Sequence, residues 1–248
     1  MTETPAKQRL HVLQAIEDGW NAFSRTPWPL VLFTLLAGSI WILFQLIVHG
    51  AYFLAAGGDF APYVYLITLT IGNTVISLWG VTGLIRGAWK TLNGAKPSFS
   101  DLVRWDGNAA GRLFINQMVL AIIISIIGLV FLWLTDELSD ANTFAGLIPL
   151  IVGVATFAYL SVNQKLFPAI ALLQTGNPIE NIQKGQKVID ATWWWMLLLL
   201  IVNTVILTVG FILLGVGLLV ASPLVICISL AAYRQLFGTE DQTGFLKS

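Results

Sequence analysis

The fold is decided by residues 193–237, WWWMLLLLIVNTVILTVGFILLGVGLLVASPLVICISLAAYRQLF, a run with no charged residue before Arg234. A helix needs about 20 apolar residues to cross the hydrocarbon core, so the run is long enough for two crossings and too long for one. Gly210, Gly215 and Gly217 cluster near its centre and place a turn in VGFILLGVG. The stretch therefore predicts a transmembrane hairpin, with spans over about 193–213 and 217–237.

The rest of the chain has the same character. It is 56% hydrophobic and 10% charged, where a soluble globular domain carries about 25% charged residues. Four more apolar runs predict spans over about 29–48, 63–85, 113–134 and 144–164. Pro168 is expected to kink or end the fourth before the apolar remnant 169–173. The longest charged connection, 86–112, is too short to bury a core of its own, so residues 1–248 read as one integral membrane domain. The fold class is all-α: a polytopic membrane protein of six transmembrane helices.

Charge gives this array a direction. All 13 Lys and Arg fall on one side of it. Lys7, Arg9 and Arg25 precede the first span, and Arg86, Lys90, Lys96, Arg104 and Arg112 lie between the second and third. Lys165, Lys184 and Lys187 lie between the fourth and fifth, and Arg234 and Lys247 close the chain. The opposite connections hold only acids, Asp59, Asp136, Glu137 and Asp140. Basic connections resist translocation, which predicts cytoplasmic N and C termini. The basic side carries a net +4 and the other −4, a polarity suited to anionic headgroups and one that does not require nucleic acid. The N-terminal MTETPAKQRLHVLQAIEDGW lacks the apolar core of a cleavable signal, so the first span is expected to be retained. Cys227 is the lone cysteine, which excludes a disulfide framework within the chain.

Each odd-numbered span is preceded by an amphipathic segment. Leu13, Ile16, Trp20 and Phe23 recur at helical spacing before the first. Before the third, Phe99, Leu102 and Val103 follow Ser98, a cap with Asp101 at its third position. Before the fifth, Ile179, Ile182 and Ile189 follow a strong start signal in Asn177, Pro178 and Glu180. Three amphipathic helices on the cytoplasmic membrane surface are expected. The plainer reading is three solvated helices packed on their neighbours.

The pattern also suggests a three-fold internal repeat of surface helix, span, outer turn and span. At an offset of 166, Ile16/Ile182, Gly19/Gly185, Thr26/Thr192, Trp28/Trp194 and Leu32/Leu198 coincide. The units would share one orientation, unlike the inverted repeats of many transporters.

Candidate chemistry is sparse. Trp28, Trp89, Trp105, Trp133, Trp193, Trp194 and Trp195 fall near span ends, where indoles anchor at the interface, while Trp41 and Trp79 lie deeper and read as packing residues. His11 and His49 belong to opposite faces and cannot share a metal or a haem; His49 alone could ligate a pigment only beside an apolar slot. Lys165 is expected to snorkel to the interface. The spacing Gly83-x-x-x-Gly87 fits close helix approach. The intramembrane polar candidates are Asn73 and Asn203 near midspan, with Asn116, Gln117 and Asn163 nearer the basic side. Such amides can line a solute path, but they more often tie helices together. No nucleophile, paired-histidine or phosphate-loop motif is present, so neither enzymatic activity nor a cofactor is expected.

Several stretches carry a resemblance: GAWKTLNGAKPSFSDL, through Gly87, Gly94, Pro97, Phe99 and Asp101; LFPAIALLQTGNPIENIQKG, through Pro168, Asn177, Pro178, Ile182 and Gly185; and Gly215, Gly217, Pro223, Tyr233 and Leu236 near the end. Together with AIEDGWNAFSRTPWPL they resemble a group of uncharacterised six-span bacterial integral membrane proteins known as a domain of unknown function. That group is distantly similar to the membrane-anchor region of some glycerophosphodiester phosphodiesterases. The resemblance implies the six-helix fold and a bacterial cytoplasmic (inner) membrane; the phosphodiesterase domain is absent and no catalytic residue carries over. The expected role is a non-enzymatic interaction or assembly factor that contacts membrane lipids, other membrane proteins or its own copies. The alternative is a small-solute transporter or permease with a polar site near Asn73 and Asn203.

Overall fold

The computed structural model describes residues 10–54, 60–213 and 215–246, without the side chains of Ala141 and Thr143. Lys7, Arg9, Asp59 and Lys247, four of the charges that set the expected topology, lie outside the described residues. Among those described there are ten helices and no strand. The helices are α1 Val12–Arg25, α2 Pro27–Leu54, α3 Ala61–Leu92, α4 Phe99–Val103, α5 Gly107–Ala141, α6 Thr143–Asn163, α7 Phe167–Leu173, α8 Pro178–Asp190, α9 Trp193–Ile212 and α10 Leu218–Phe237. Six helical segments are long and apolar enough to cross a membrane: α2, α3, α5, α6 with α7, α9 and α10. The architecture is all-α and multi-pass.

The hairpin expected at the end of the chain is present. α9 stops at Ile212, α10 starts at Leu218, and Gly215 takes the left-handed conformation at φ 74° that a side chain would disfavour. Both capping boxes also form. Asp101 N–H donates to Ser98 Oγ (3.3 Å) and Ser98 N–H to Asp101 Oδ2 (2.9 Å). Asn177 and Glu180 do the same at the head of α8.

Three expectations need correction. α3 does not end at residue 85 but continues to Leu92, because a charge ends a hydropathy window without ending the backbone hydrogen-bond ladder. Arg86 and Trp89 are therefore helical and buried, at 1% and 2% exposed, rather than a loop cation and an interfacial anchor. The fourth span is interrupted near Pro168, as expected: α6 stops at Asn163, its C-cap Gln164 lies four residues before the proline, and the remnant continues as α7 with Pro168 in its first turn. The middle surface helix, α4, is only five residues long. Finally, Trp41 is exposed along α2 rather than packed.

The chain forms two compact units. One comprises Leu13–Ala110 and Asn203–Ala231. There α2, α3 and α4 pack together, and Gly83 and Gly87 of α3 accept Phe33, Leu30 and Leu102 against their bare Cα atoms. α1 buries Ala15, Gly19, Ala22 and Phe23 and leaves Leu13 and Trp20 exposed, so half of its expected apolar stripe faces outward. The second unit comprises, of the described residues, 10–12, Gly111–Val202 and 232–246. α8 packs there on α6 and α7 through Asn181, Gly185 and Ile189, while Ile179 of the expected stripe is exposed.

The C-terminal segment completes the second unit. Gln242 N–H donates to the Leu173 carbonyl (3.0 Å), and Thr243 Oγ1 donates to the Leu172 carbonyl (2.6 Å). These are terminal carbonyls of α7 that the helix itself cannot satisfy. Phe245 is buried beyond them. Thr243→Val keeps the shape and removes the donor, so it should cost about 1 kcal/mol, read as a lower thermal midpoint in detergent. An unchanged midpoint would show that the Thr243 hydroxyl does not contribute to capping α7.

Candidate functional site

The polar residues singled out within the spans resolve into separate local arrangements. In the first unit, Trp41 Nε1 donates to Asn73 Oδ1 (2.9 Å), joining α2 to α3. Asn203, 1% exposed, donates through Nδ2 to Ser229 Oγ (3.2 Å), joining α9 to α10. Its buried Oδ1 has no partner.

In the second unit, Asn116 and Asn163 both lead to α8. Asn116 Nδ2 donates to the Arg112 carbonyl (2.8 Å), and its Oδ1 accepts from Asn181 Nδ2 (2.9 Å). Asn163 Nδ2 donates to Asp190 Oδ1 (3.0 Å), which also accepts the Tyr159 hydroxyl (2.6 Å). Gly185 lies between these contacts: a Cβ there would sit 3.6 Å from the Asn163 carbonyl oxygen and 3.8 Å from Gln164 Oε1. Gln117, the fifth candidate, is half-buried on α5 with no side-chain hydrogen bond among the described residues. Sequence reasoning missed Asn181, Asp190 and Tyr159, because polar residues on a surface helix and at a helix end look solvated. The available signal was Asn181 itself, which falls one turn before Gly185 on the face that the offset of 166 aligns with Gly19.

Arg86 is the other polar centre. Its Nη1 donates to the carbonyls of Asp101 (3.2 Å) and Arg104 (3.1 Å), and its Nη2 pairs with Asp106 Oδ2 (3.3 Å). Asp106 Oδ1 in turn accepts Ala109 N–H in the first turn of α5 (3.0 Å). One guanidinium thus fixes α3, α4 and the start of α5. Beside it Lys90 pairs with Asp101 Oδ1 at 2.9 Å and, with the Ser98 contacts, holds that carboxyl at about 2. A depressed carboxylate pKa contributes stability above the unfolded value of about 3.9 and loses it as pH falls toward the folded value. Asp101→Asn should therefore lower the thermal midpoint at pH 6, and the gap from wild type should narrow between about pH 4 and pH 2. A gap constant down to pH 2 would contradict this.

A cleft of about 430 Å³ opens between the ends of α2 and α3, lined by Val48, Ala51, Tyr52, Ala61, Val64 and Tyr65 among others. It is apolar, as a pigment slot would be, but His49 does not line it. That ring packs edge-on against Tyr65 at 5.5 Å, and its Nδ1 lies 2.7 Å from the Gln45 carbonyl oxygen. No group of three or more His, Cys, Asp or Glu able to hold a metal occurs among the described residues. No family model matches the chain, and no match is found among curated proteins or solved structures.

Proposed function

We propose that the protein is a non-enzymatic interaction or assembly factor of a bacterial cytoplasmic membrane, with both termini inside and α1, α4 and α8 on the cytoplasmic surface. One observation carries the reading: four of the five intramembrane amide candidates hydrogen-bond a neighbouring helix or helix end, Asn73 with Trp41, Asn203 with Ser229, Asn116 with Asn181 and Asn163 with Asp190. Amides used this way hold helices in register. Exposed Trp20 and Leu13 on α1, Phe99 on α4 and Ile179 on α8 supply apolar contact at each surface helix.

The family resemblance and the three-fold repeat belong to the same proposal. In support of the repeat, a positive-φ glycine follows the second span of each unit: Gly94 after α3, Gly176 after α7 and Gly238 after α10. Gly19 and Gly185, which the offset pairs, are both buried at helix contacts.

The test is purification in mild detergent, with mass spectrometry of associated proteins and lipids and an absorbance spectrum. A stoichiometric protein or lipid partner supports the reading. A bare, colourless species that takes up solute in liposomes supports the permease alternative, to which the unpartnered Asn203 Oδ1 gives its one specific foothold.

A further inference from the structure

Asp190 closes α8 with a charge that no described residue neutralises. Its Oδ1 accepts the Tyr159 hydroxyl (2.6 Å) and Asn163 Nδ2 (3.0 Å), both from α6 and both neutral. Its Oδ2 takes no hydrogen bond or ion pair among the described residues, and the residue is exposed. Lys187, one turn earlier on α8, makes no ion pair with it. An acid in the last turn of a helix also opposes the macrodipole, which favours a cation there.

Asn163 supplies a second open acceptor in the same network. It is 0% exposed, and Asp190 fixes its orientation, because a carboxylate only accepts and the amide must turn its N–H toward it. The Oδ1 of that amide is buried and has no donor, a costly arrangement unless a ligand supplies one. Tyr159 ties the network to the head of α9. Its hydroxyl also accepts from Gln186 Nε2 (3.4 Å), and its ring stacks on Trp193 with centroids 6.2 Å apart. Trp194 and Trp195 follow, both exposed. Indoles at the start of a span mark the depth of lipid headgroups, so the group that faces Asp190 in a bilayer is a headgroup.

Two open acceptors, one of them charged, require a cation that carries N–H donors. We propose that this corner of α6, α8 and α9 binds a primary ammonium group, with its charge on Asp190 Oδ2 and Asn163 Oδ1 as the second acceptor. An ethanolamine headgroup and a soluble phosphoethanolamine share that chemistry, whereas a choline headgroup has the charge without the donors. The inference deepens the lipid-contact part of the proposed function and rests on it.

The test is thermal unfolding of the full chain in detergent, titrated with phosphatidylethanolamine, its N-methyl and N,N-dimethyl derivatives, phosphatidylcholine or phosphoethanolamine. Phosphatidylethanolamine should raise the midpoint, the response should fall with each added methyl, and phosphatidylcholine should give none. Asp190→Asn keeps an acceptor for Tyr159 and Asn163 but removes the charge. It should raise the half-saturating concentration about tenfold or more, as expected for losing a charged hydrogen bond. Asp136→Asn, at an exposed acid on α5, should leave it unchanged. A matching response to phosphoethanolamine would support the ammonium site and assign it to a soluble amine. Circular dichroism checks each fold; if Asp190→Asn fails to fold, the methyl series on the unaltered protein still decides. An absent or equal response across that series, or a response unchanged in folded Asp190→Asn, would overturn the proposal. Capture of protein partners in mild detergent does not depend on Asp190, so its failure would speak against the broader function alone.

Discussion

Gly19→Ala should destabilise the protein, although alanine is the better helix former. Relieving glycine inside a helix is worth about 1 kcal/mol in favour of alanine. At this position the new Cβ would lie 2.6 Å from both the backbone nitrogen and the Cα of Ile228. No side-chain rotation relieves a clash with main chain, so α1 must move off α10. Overpacking of this kind costs about 1–3 kcal/mol, and more where backbone is the obstacle. The loss therefore exceeds the gain, and Gly19→Leu should abolish the α1 contact altogether. Gly38 provides the control, since a Cβ there meets nothing within 4 Å. Gly38→Ala should be neutral or stabilising. If both alanine variants unfold at or above the wild-type temperature, the close approach of α1 to Ile228 is wrong.

The second large effect is expected at Arg86. Arg86→Met replaces the guanidinium with an apolar chain of similar reach. It strips a donor from two backbone carbonyls and leaves Asp106, whose side chain is only 12% exposed, without its cation. Removing one partner of a buried pair typically costs about 3–5 kcal/mol, mostly for the charge left behind. Arg86→Lys should recover part of this but not all, because an ammonium cannot span three acceptors with a planar fork. Adding Asp106→Asn to Arg86→Met should recover part by removing the stranded charge. The readouts are thermal midpoint and the yield of monodisperse protein. A wild-type midpoint for Arg86→Met would show that the α3–α4–α5 elbow is held by apolar packing alone.

These two residues mark where the sequence was legible and where it was not. The hairpin over residues 193–237 could be placed to within a residue or so, because its length without charge permits only two crossings and its glycines cluster at one point. The heads of α4 and α8 were equally readable, since a capping box is written in four adjacent residues. Arg86 was misread because hydropathy treats a cation as the end of a span, and only tertiary structure can supply the carbonyls and the carboxylate that let it stay inside. α8 was half-legible for a related reason. Its isoleucines suggested an apolar face, yet Asn181 and Gly185 are buried while Ile179 is exposed. A small residue and an amide with a waiting partner fit a close helix contact better than a branched side chain does. Of the intramembrane candidates, Asn116 and Asn163 were legible as residues but not as a pair of contacts to one helix, which required Asn181 and Asp190 from 65 and 27 positions away.

The proposed six-span topology, with basic connections inside, underlies the surface-helix reading. Its most direct test is single-cysteine labelling in spheroplasts with a membrane-impermeant maleimide, in a Cys227→Ala background. Lys96→Cys and Gln183→Cys should label only after permeabilisation, and Glu137→Cys should label without it. Labelling of Lys96→Cys in intact spheroplasts, or the same accessibility for Lys96→Cys and Glu137→Cys, would contradict the account.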